Sequence, residues 1–227
     1  MQFKAARPSV RIAVLVDGGF FIKRFNAVFN KDRTMSGKDV ASKLYTIAHR
    51  HVGRENVLYR IFYYDCMPFD KKMTNPISGQ QIDFKETREY AFRTELFEEL
   101  KQKRKVALRL GTLKDHRKWE IYPRALTELL KGRKSVDELT SDDVHVSLQQ
   151  KGIDMKIGVD IASLAFKHFV DRIILISGDA DFVPAAKLAR REGIDFVLDP
   201  MGANIDAGLF EHIDGLYDSI KAHTKRQ

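Results

Sequence analysis

The chain has 227 residues, of which 44% are apolar, and its formal net charge of +8 reflects 39 Lys and Arg against 31 Asp and Glu. This composition predicts one globular domain, or one domain with insertions, and no apolar run approaches the roughly 20 residues that span a bilayer. The start at Met1 lacks the apolar core of a secretory signal and Cys66 is the sole cysteine, so we expect a soluble, cytoplasmic protein without a disulfide framework or a thiolate zinc site.

Continuous apolar runs that end at Asp or Gly recur along the chain. Such runs are typical of strands that are buried on both faces of a parallel sheet. They predict five strands, at residues 10–16, 57–64, 106–110, 172–176 and 194–198.

Helical apolar patterns separate these runs. They predict helices at residues 37–50, 87–103, 154–169, 182–191 and 207–219. Strands that alternate with helices predict an α/β fold, with a mostly parallel central sheet of about five strands flanked by helices.

Two stretches fit this alternation poorly. Residues 67–86 contain two prolines and a glycine and are predicted to form a long loop, whereas residues 119–150 hold a predicted short helix at 123–130 and a predicted extra strand at 144–148. We therefore expect a single domain over residues 1–227 with insertions at about 67–86 and 119–150. The sequence leaves open whether the chain is a monomer or a homo-oligomer.

Charge is distributed unevenly along the chain. Residues 101–134 carry twelve Lys and Arg against three acids, whereas residues 192–218 carry seven acids and no Lys or Arg. A basic block suggests contact with a polyanion such as RNA, although a solvated surface is the simpler alternative. We predict backbone-gripping residues at Lys103, Arg104 and Lys105. Lys151, close in sequence to Asp154, is a further candidate for phosphate contact.

Acidic residues follow the predicted strands. Asp17 follows the first strand, and Asp179 and Asp181 follow the strand at 172–176. Ligands of open parallel sheets bind beyond the carboxyl ends of the strands, so these acids are expected to face one crevice if the two strands are neighbours. Asp154 and Asp160, on the preceding helix, could reach the same edge. Because six residues turn an ideal helix by about 240°, either that helix begins later or only one of the two faces the site.

Crowded carboxylates repel one another and need protons, basic side chains or a cation. Without a Cys pair or a His cluster, the oxygen ligands suit Mg²⁺ or Mn²⁺, which act chiefly on phosphates. The structural alternative is that each Asp merely caps the helix after its strand, as Asp181 is placed to do before Phe182. Ser177 is predicted to cap the same loop or to hold phosphate or water.

A specific resemblance rests on three motifs that occur in order along the chain. They are Val16-Asp17-Gly18-Gly19-Phe20, then Lys151-Gly152-Ile153-Asp154 followed by Val159-Asp160, and then Ile176-Ser177-Gly178-Asp179-Ala180-Asp181-Phe182. Together they resemble the NYN domain family, the LabA-like branch of the PIN-like nuclease superfamily, over about residues 11–200. The resemblance implies a PIN-like three-layer sandwich and a Mg²⁺- or Mn²⁺-dependent endoribonuclease. It places metal ligands at Asp17, Asp154, Asp160, Asp179 and Asp181, with catalysis assigned to all of these except Asp154.

One position departs from the family pattern. Gly19 stands where many members carry Asn, so an amide that could orient water or phosphate is missing. A non-catalytic RNA-binding or regulatory module that retains the acidic pocket therefore stays open as an alternative to the ribonuclease. A phosphatase for small phosphorylated substrates also stays open, because the same metal chemistry would serve it. The large basic block argues for a long polymer over a small substrate.

Overall fold

The computed structural model describes residues 9–224. Its strands are β1 (Arg11–Asp17), β2 (Val57–Cys66), β3 (Lys72–Thr74), β4 (Gln81–Asp83), β5 (Val106–Ile121), β6 (Val144–Lys151), β7 (Arg172–Ile176), β8 (Asp195–Asp199) and β9 (Gly215–Leu216). Its helices are α1 (Gly18–Phe29), α2 (Gly37–Val52), α3 (Arg88–Gln102), α4 (Pro123–Leu130), α5 (Ile153–Phe166), α6 (Val183–Arg191), α7 (Ala207–Glu211) and α8 (Ser219–Thr224). The α/β fold class is therefore confirmed.

The central sheet is mostly parallel and larger than predicted. Its seven strands have the order β6-β5-β2-β1-β7-β8-β9, and β3 and β4 form a separate antiparallel pair. Strand β1 pairs in parallel with both β2 and β7, and β8 continues the sheet in parallel with β7 and β9. The prediction of about five strands in the central sheet was too low. The extra strand that was predicted at 144–148 is β6, which forms one end of this sheet, and the two-residue β9 forms the other end.

The position of β1 decides where the site lies. Its residues from Ile12 to Val16 are fully buried, as expected for a strand covered on both faces. Because β1 and β7 are neighbours with the same direction, Asp17 and the loop after Ile176 emerge at one edge of the sheet. The sequence predicted that Asp17, Asp179 and Asp181 face one crevice if these two strands are neighbours, and the two strands are neighbours.

Most predicted elements are present, with shifted ends. The strand at 172–176 and the helix at 123–130 match their predicted bounds at both ends. The predicted helix at 207–219 was wrong, since α7 ends at Glu211 and the chain then forms β9 and α8. The predicted loop at 67–86 was also wrong in part, because β3 and β4 form a short hairpin within it.

The fold divides into two compact units. Among the described residues, the first comprises residues 9–65, 95–111 and 152–224, and the second comprises residues 66–94 and 112–151. Both predicted insertions belong mainly to the second unit, where the later part of β5 pairs antiparallel with β6. The expectation of one NYN domain over the whole chain stays a prediction. Within residues 9–224, no helix combines the length and the apolar character needed to cross a membrane.

Candidate functional site

Asp17 is held at the junction of β1 and α1. Its Oδ1 accepts a hydrogen bond of 3.1 Å from the backbone N–H of Phe20, which caps α1, and its Oδ2 accepts one of 3.3 Å from the hydroxyl of Ser177. Burial nevertheless raises the pKa of Asp17, and the nearby charges of Asp154 and Asp65 raise it further. Asp17 thus caps α1 at a position where folding disfavours its charged form.

Three further carboxylates lie in the same electrostatic environment. Asp154 is in the first turn of α5, and Asp179 and Asp181 follow β7. Asp179 caps the short 3₁₀ helix Ala180–Phe182 by accepting a 3.0 Å hydrogen bond from the N–H of Asp181. Partial burial, followed by the charges of Asp179 and Asp181, raises the pKa of Asp154. Asp181 does not cap α6, whose N-cap is Phe182.

We call these four residues the acidic group: Asp17, Asp154, Asp179 and Asp181. Among the residues that the structure describes, no Lys or Arg forms an ion pair with any of the four. Asp154, Asp179 and Asp181 are exposed, whereas Asp17 is half-buried. The acidic group is therefore an uncompensated concentration of negative charge that is open to solvent.

Asp160 is in a different environment from the other predicted ligands. Its Oδ2 accepts a 2.8 Å hydrogen bond from the hydroxyl of Tyr64 and a 2.9 Å bond from Nε of Arg109, whose guanidinium lies over the Phe62 ring at 5.1 Å. Burial and the neighbouring Asp160 carboxylate raise the pKa of Tyr64, so this phenol stays protonated as a donor. Because α5 begins at Ile153, the second alternative from helical geometry applies: Asp154 and Asp160 have different partners.

Sequence reasoning missed Tyr64, Arg109 and Asp65. Asp65 is fully buried near the carboxyl end of β2 and accepts a 3.2 Å hydrogen bond from the hydroxyl of Tyr63. The signal for Asp65 was present, since it follows an apolar run just as Asp17 does. Arg109 had no comparable signal, because one arginine within a basic block looks like its neighbours until Asp160 is placed beside it.

Gly18 and Gly178 hold the backbone of the site close to its neighbours. A Cβ on Gly18 would lie 2.7 Å from the carbonyl oxygen of Tyr64 and 2.8 Å from Oδ2 of Asp65. A Cβ on Gly178 would lie 2.8 Å from the ring of Phe20, which is half-buried, unlike the core residue Phe21. The D-G and S-G-D motifs therefore require glycine for close approach.

The predicted RNA-binding lysines lie elsewhere on the first unit. The ammonium of Lys105 donates to the carbonyl of Leu58, and Lys103 lies over the ring of Tyr45 at 5.5 Å. Leu58 pairs with Ile12, five residues before Asp17 on β1, which places the Lys105 ammonium roughly 16 Å from the acidic group along the sheet. RNA contact by Lys103, Arg104 and Lys105 stays a prediction, and it would concern nucleotides distant from the acidic group.

The two remaining predicted RNA-binding residues have defined partners. Ser177 is fully buried, and its hydroxyl both donates to Asp17 and accepts a 3.4 Å bond from the N–H of Asp179, so in this structure it positions the acids. Lys151, in the second unit, is close to Lys114, whose hydrogen bond and charge lower the pKa of Lys151. Contact of Ser177 or Lys151 with RNA stays a prediction.

A divalent metal can be tested against this arrangement. Among the side chains that the structure describes, no group of three or more His, Cys, Asp or Glu has the arrangement of a metal site. The donor chemistry of the acidic group nevertheless fits Mg²⁺ or Mn²⁺, because it offers hard carboxylate oxygens whose charge no basic side chain of the described residues neutralises. An ion would have to draw these carboxylates together. Asp154, Asp179 and Asp181 are exposed to solvent, and one oxygen of Asp179 already accepts from the N–H of Asp181.

Comparison with known proteins identifies the family. A model of the NYN domain family matches residues 11–204. The chain belongs to the NYN domain family. This membership makes it a nuclease-type domain of PIN-like kind, in agreement with the three motifs, whereas the LabA-like branch stays a prediction.

Two other comparisons concern solved structures and curated proteins. A crystal structure of a protein of unknown function from Vibrio parahaemolyticus is similar to this NYN domain at a TM-score of 0.49 and 16% identity, and the alignment covers 96% of each chain. No curated protein matches the sequence.

Proposed function

We propose that this NYN domain is a metal-dependent ribonuclease that hydrolyses phosphodiester bonds of RNA at the acidic group. The observation that carries the proposal is the gathering of carboxylates at one edge of the sheet with no basic partner among the described residues. Burial, and after it the charges of neighbouring carboxylates, raises the pKa values of Asp17 and Asp154. Folding has kept a repulsive arrangement that an ion pair could have relieved. Such strain is typical of a site built for a cation.

Asp17, Asp154, Asp179 and Asp181 would hold Mg²⁺ or Mn²⁺. A divalent ion bound there would polarise a phosphoryl oxygen, activate water and stabilise the leaving oxygen. Asp160, which the sequence placed among the catalytic acids, is already neutralised by Arg109. Its role in the proposal is to position Arg109, and direct metal binding by Asp160 stays a prediction.

The remaining residues of the site have separate tasks. The Ser177 hydroxyl fixes Asp17, and Gly178 lets the Phe20 ring pack against the loop that carries Asp179. The Arg109 guanidinium, 44% exposed, uses Nε on Asp160 and can offer its other N–H groups to a phosphate. Arg109 thus supplies a positive charge beside Asp160.

A non-catalytic RNA-binding module is the second candidate. It is favoured by the Arg109–Asp160 ion pair, which removes one family carboxylate from the metal set, and by Gly19 in place of the family Asn. In that function the acidic group would bind a cation that bridges to an RNA phosphate without hydrolysis. The Gly19→Asn variant separates the two candidates, because restoring an amide should raise a cleavage rate but has no reaction to accelerate in a binding module.

The test uses the purified full chain with labelled single-stranded and duplex RNA and DNA. Each substrate is incubated with Mg²⁺, Mn²⁺ or EDTA, and both cleavage and binding are measured. The proposal predicts RNA cleavage that disappears in EDTA. Binding without cleavage in every condition would select the module, and cleavage that persists in EDTA would refute metal dependence.

A further inference from the structure

The second unit contains a cavity of its own. It has a volume of about 360 Å³ and lies between the loop after β2, the first turns of α3 and the β5–β6 ribbon. Three aromatic residues line it: Phe69, Phe84 and Tyr90. The rings of Phe69 and Phe84 meet edge to face with their centroids 4.9 Å apart, which fixes one wall. We call this space the aromatic cavity.

Apolar side chains of the aromatic cavity remain exposed to water. Met67 is 47% exposed and Leu148 is 39% exposed, and both line the cavity. Covering this exposed apolar surface with a flat apolar molecule would lower the free energy, because apolar surface is removed from water. The volume lies at the lower end of the range of about 300–1,000 Å³ that is usual for small-ligand sites. A space of this volume can hold a ligand of nucleoside size.

The same cavity also presents polar groups that can pair with a heterocycle edge. Arg93, with a side chain only 17% exposed, donates from Nε to Glu89 at 2.8 Å, and both residues line the cavity with Gln150. These side chains place N–H donors, a carboxylate acceptor and an amide around an apolar space. A heterocycle carries donors and acceptors on its edge and therefore matches this lining better than an aliphatic chain does.

We propose that the aromatic cavity binds one unpaired nucleobase of the RNA. The base would lie against the aromatic wall and direct its hydrogen-bonding edge to Glu89, Arg93 and Gln150. Stacking on aromatic side chains with edge pairing is the general way in which proteins hold unpaired bases. The inference rests on the proposed function for its ligand, because RNA supplies the base, but it concerns a second site that is independent of the acidic group and of metal.

The experiment measures binding of a short fluorescent single-stranded RNA by anisotropy in EDTA, where metal-dependent cleavage is absent. Leu148→Arg and, as a second variant, Met67→Arg introduce a long charged side chain at partly exposed lining positions. Leu130→Arg is the matched control, since Leu130 is 80% exposed, belongs to the same unit and does not line the cavity. All three variants add one positive charge, so a general electrostatic effect is common to them.

We expect Leu148→Arg and Met67→Arg to weaken RNA binding by about 5- to 150-fold, the range for one missing base stack, and Leu130→Arg to leave it unchanged or slightly stronger. An RNA with abasic sites should bind the wild type as weakly as intact RNA binds the two cavity variants. Thermal melting identifies any variant that is unfolded. Equal affinities for Leu148→Arg, Met67→Arg and Leu130→Arg would overturn the proposal.

A wild type that binds no RNA would instead count against the proposed function. The aromatic cavity is then tested with adenosine, guanosine, cytidine and uridine by ligand-observed NMR. Nucleoside binding that Leu148→Arg abolishes would support the site without any RNA-directed activity. Failure of all four nucleosides to bind would overturn it.

Discussion

Replacing Asp by Asn should change the stability of the folded state in opposite directions at two positions of the first unit, Asp17 and Asp160. In Asp17→Asn the charge is removed from a position where burial, Asp154 and Asp65 disfavour it, and Asn still caps α1. The folded state is therefore stabilised at pH 7. In Asp160→Asn the charge is removed from a position where Arg109 favours it, so the folded state is destabilised.

The magnitude for Asp160→Asn follows from its hydrogen bonds. Bonds to charged groups contribute about 1.5–3 kcal/mol and neutral ones about 0.5–1.5 kcal/mol, so weakening the 2.9 Å bond from Arg109 should cost about 1 kcal/mol of stability. Because the Arg109 side chain is 44% exposed, water screens its charge, and the loss of stability should not exceed about 1 kcal/mol. For a chain of this size, a destabilisation of about 1 kcal/mol lowers Tm by about 2–4 °C.

The pH dependence gives a second check on Asp17. An Asp whose pKa is raised by folding takes up its proton first in the folded state, so its destabilising effect is present well above the ordinary pKa of 3.8 and disappears as pH falls through the folded pKa. The Tm advantage of Asp17→Asn should therefore shrink between pH 7 and pH 4. Calorimetric melting of the wild type and both variants over this range is the assay. A lower Tm for Asp17→Asn at pH 7, or a higher one for Asp160→Asn, would refute the assignment of charges in the site.

Three other outcomes follow from the structure. Gly18→Ala should destabilise the fold by about 1–3 kcal/mol or more, because the added Cβ would clash with the Tyr64 carbonyl oxygen. The control Gly158→Ala lies at an open position on α5 and should stabilise the fold by about 0.5–1 kcal/mol. Urea denaturation measures both changes. Mn²⁺ at 100 times its Kd should stabilise the wild type by about 2.7 kcal/mol in thermal melting, and an absent shift would exclude a cation site. Replacing Lys103, Arg104 and Lys105 by Ala should flatten the slope of log RNA affinity against log salt by roughly 0.7 for each phosphate that is no longer neutralised. An unchanged slope would show that these three residues form a solvated surface.

Sequence patterns predicted the fold well where burial decides the outcome. Continuous apolar runs such as β7 have one stable environment, the interior of a parallel sheet, and both ends of this strand were predicted correctly. The region after β8 was predicted poorly because its elements are short: α7 has five residues and β9 has two, too few for a periodic pattern to identify. The hairpin of β3 and β4 was missed for the same reason.

In the candidate site too, positions that depend on the local sequence could be predicted, whereas contacts between distant parts of the chain could not. Asp17, Asp179 and Asp181 could be placed because strand ends at one sheet edge converge whatever the side chains around them. The different environment of Asp160 could not be foreseen, since its partner Arg109 is 51 residues away and reaches it only through the pairing of β5 in the sheet. The position of Lys103 and Lys105 relative to the acidic group could not be foreseen for a related reason: charge counts along a chain do not tell which end of a strand a lysine reaches.

The most direct measurement of the central claim compares the wild type with Asp179→Asn on one labelled RNA in Mn²⁺. Single-turnover cleavage and RNA affinity are determined for both proteins, with EDTA as the metal-free reference. If the acidic group hydrolyses RNA, the cleavage rate of Asp179→Asn falls by orders of magnitude, its RNA affinity changes little and its Tm is equal or higher. Cleavage by Asp179→Asn at the wild-type rate would contradict the account.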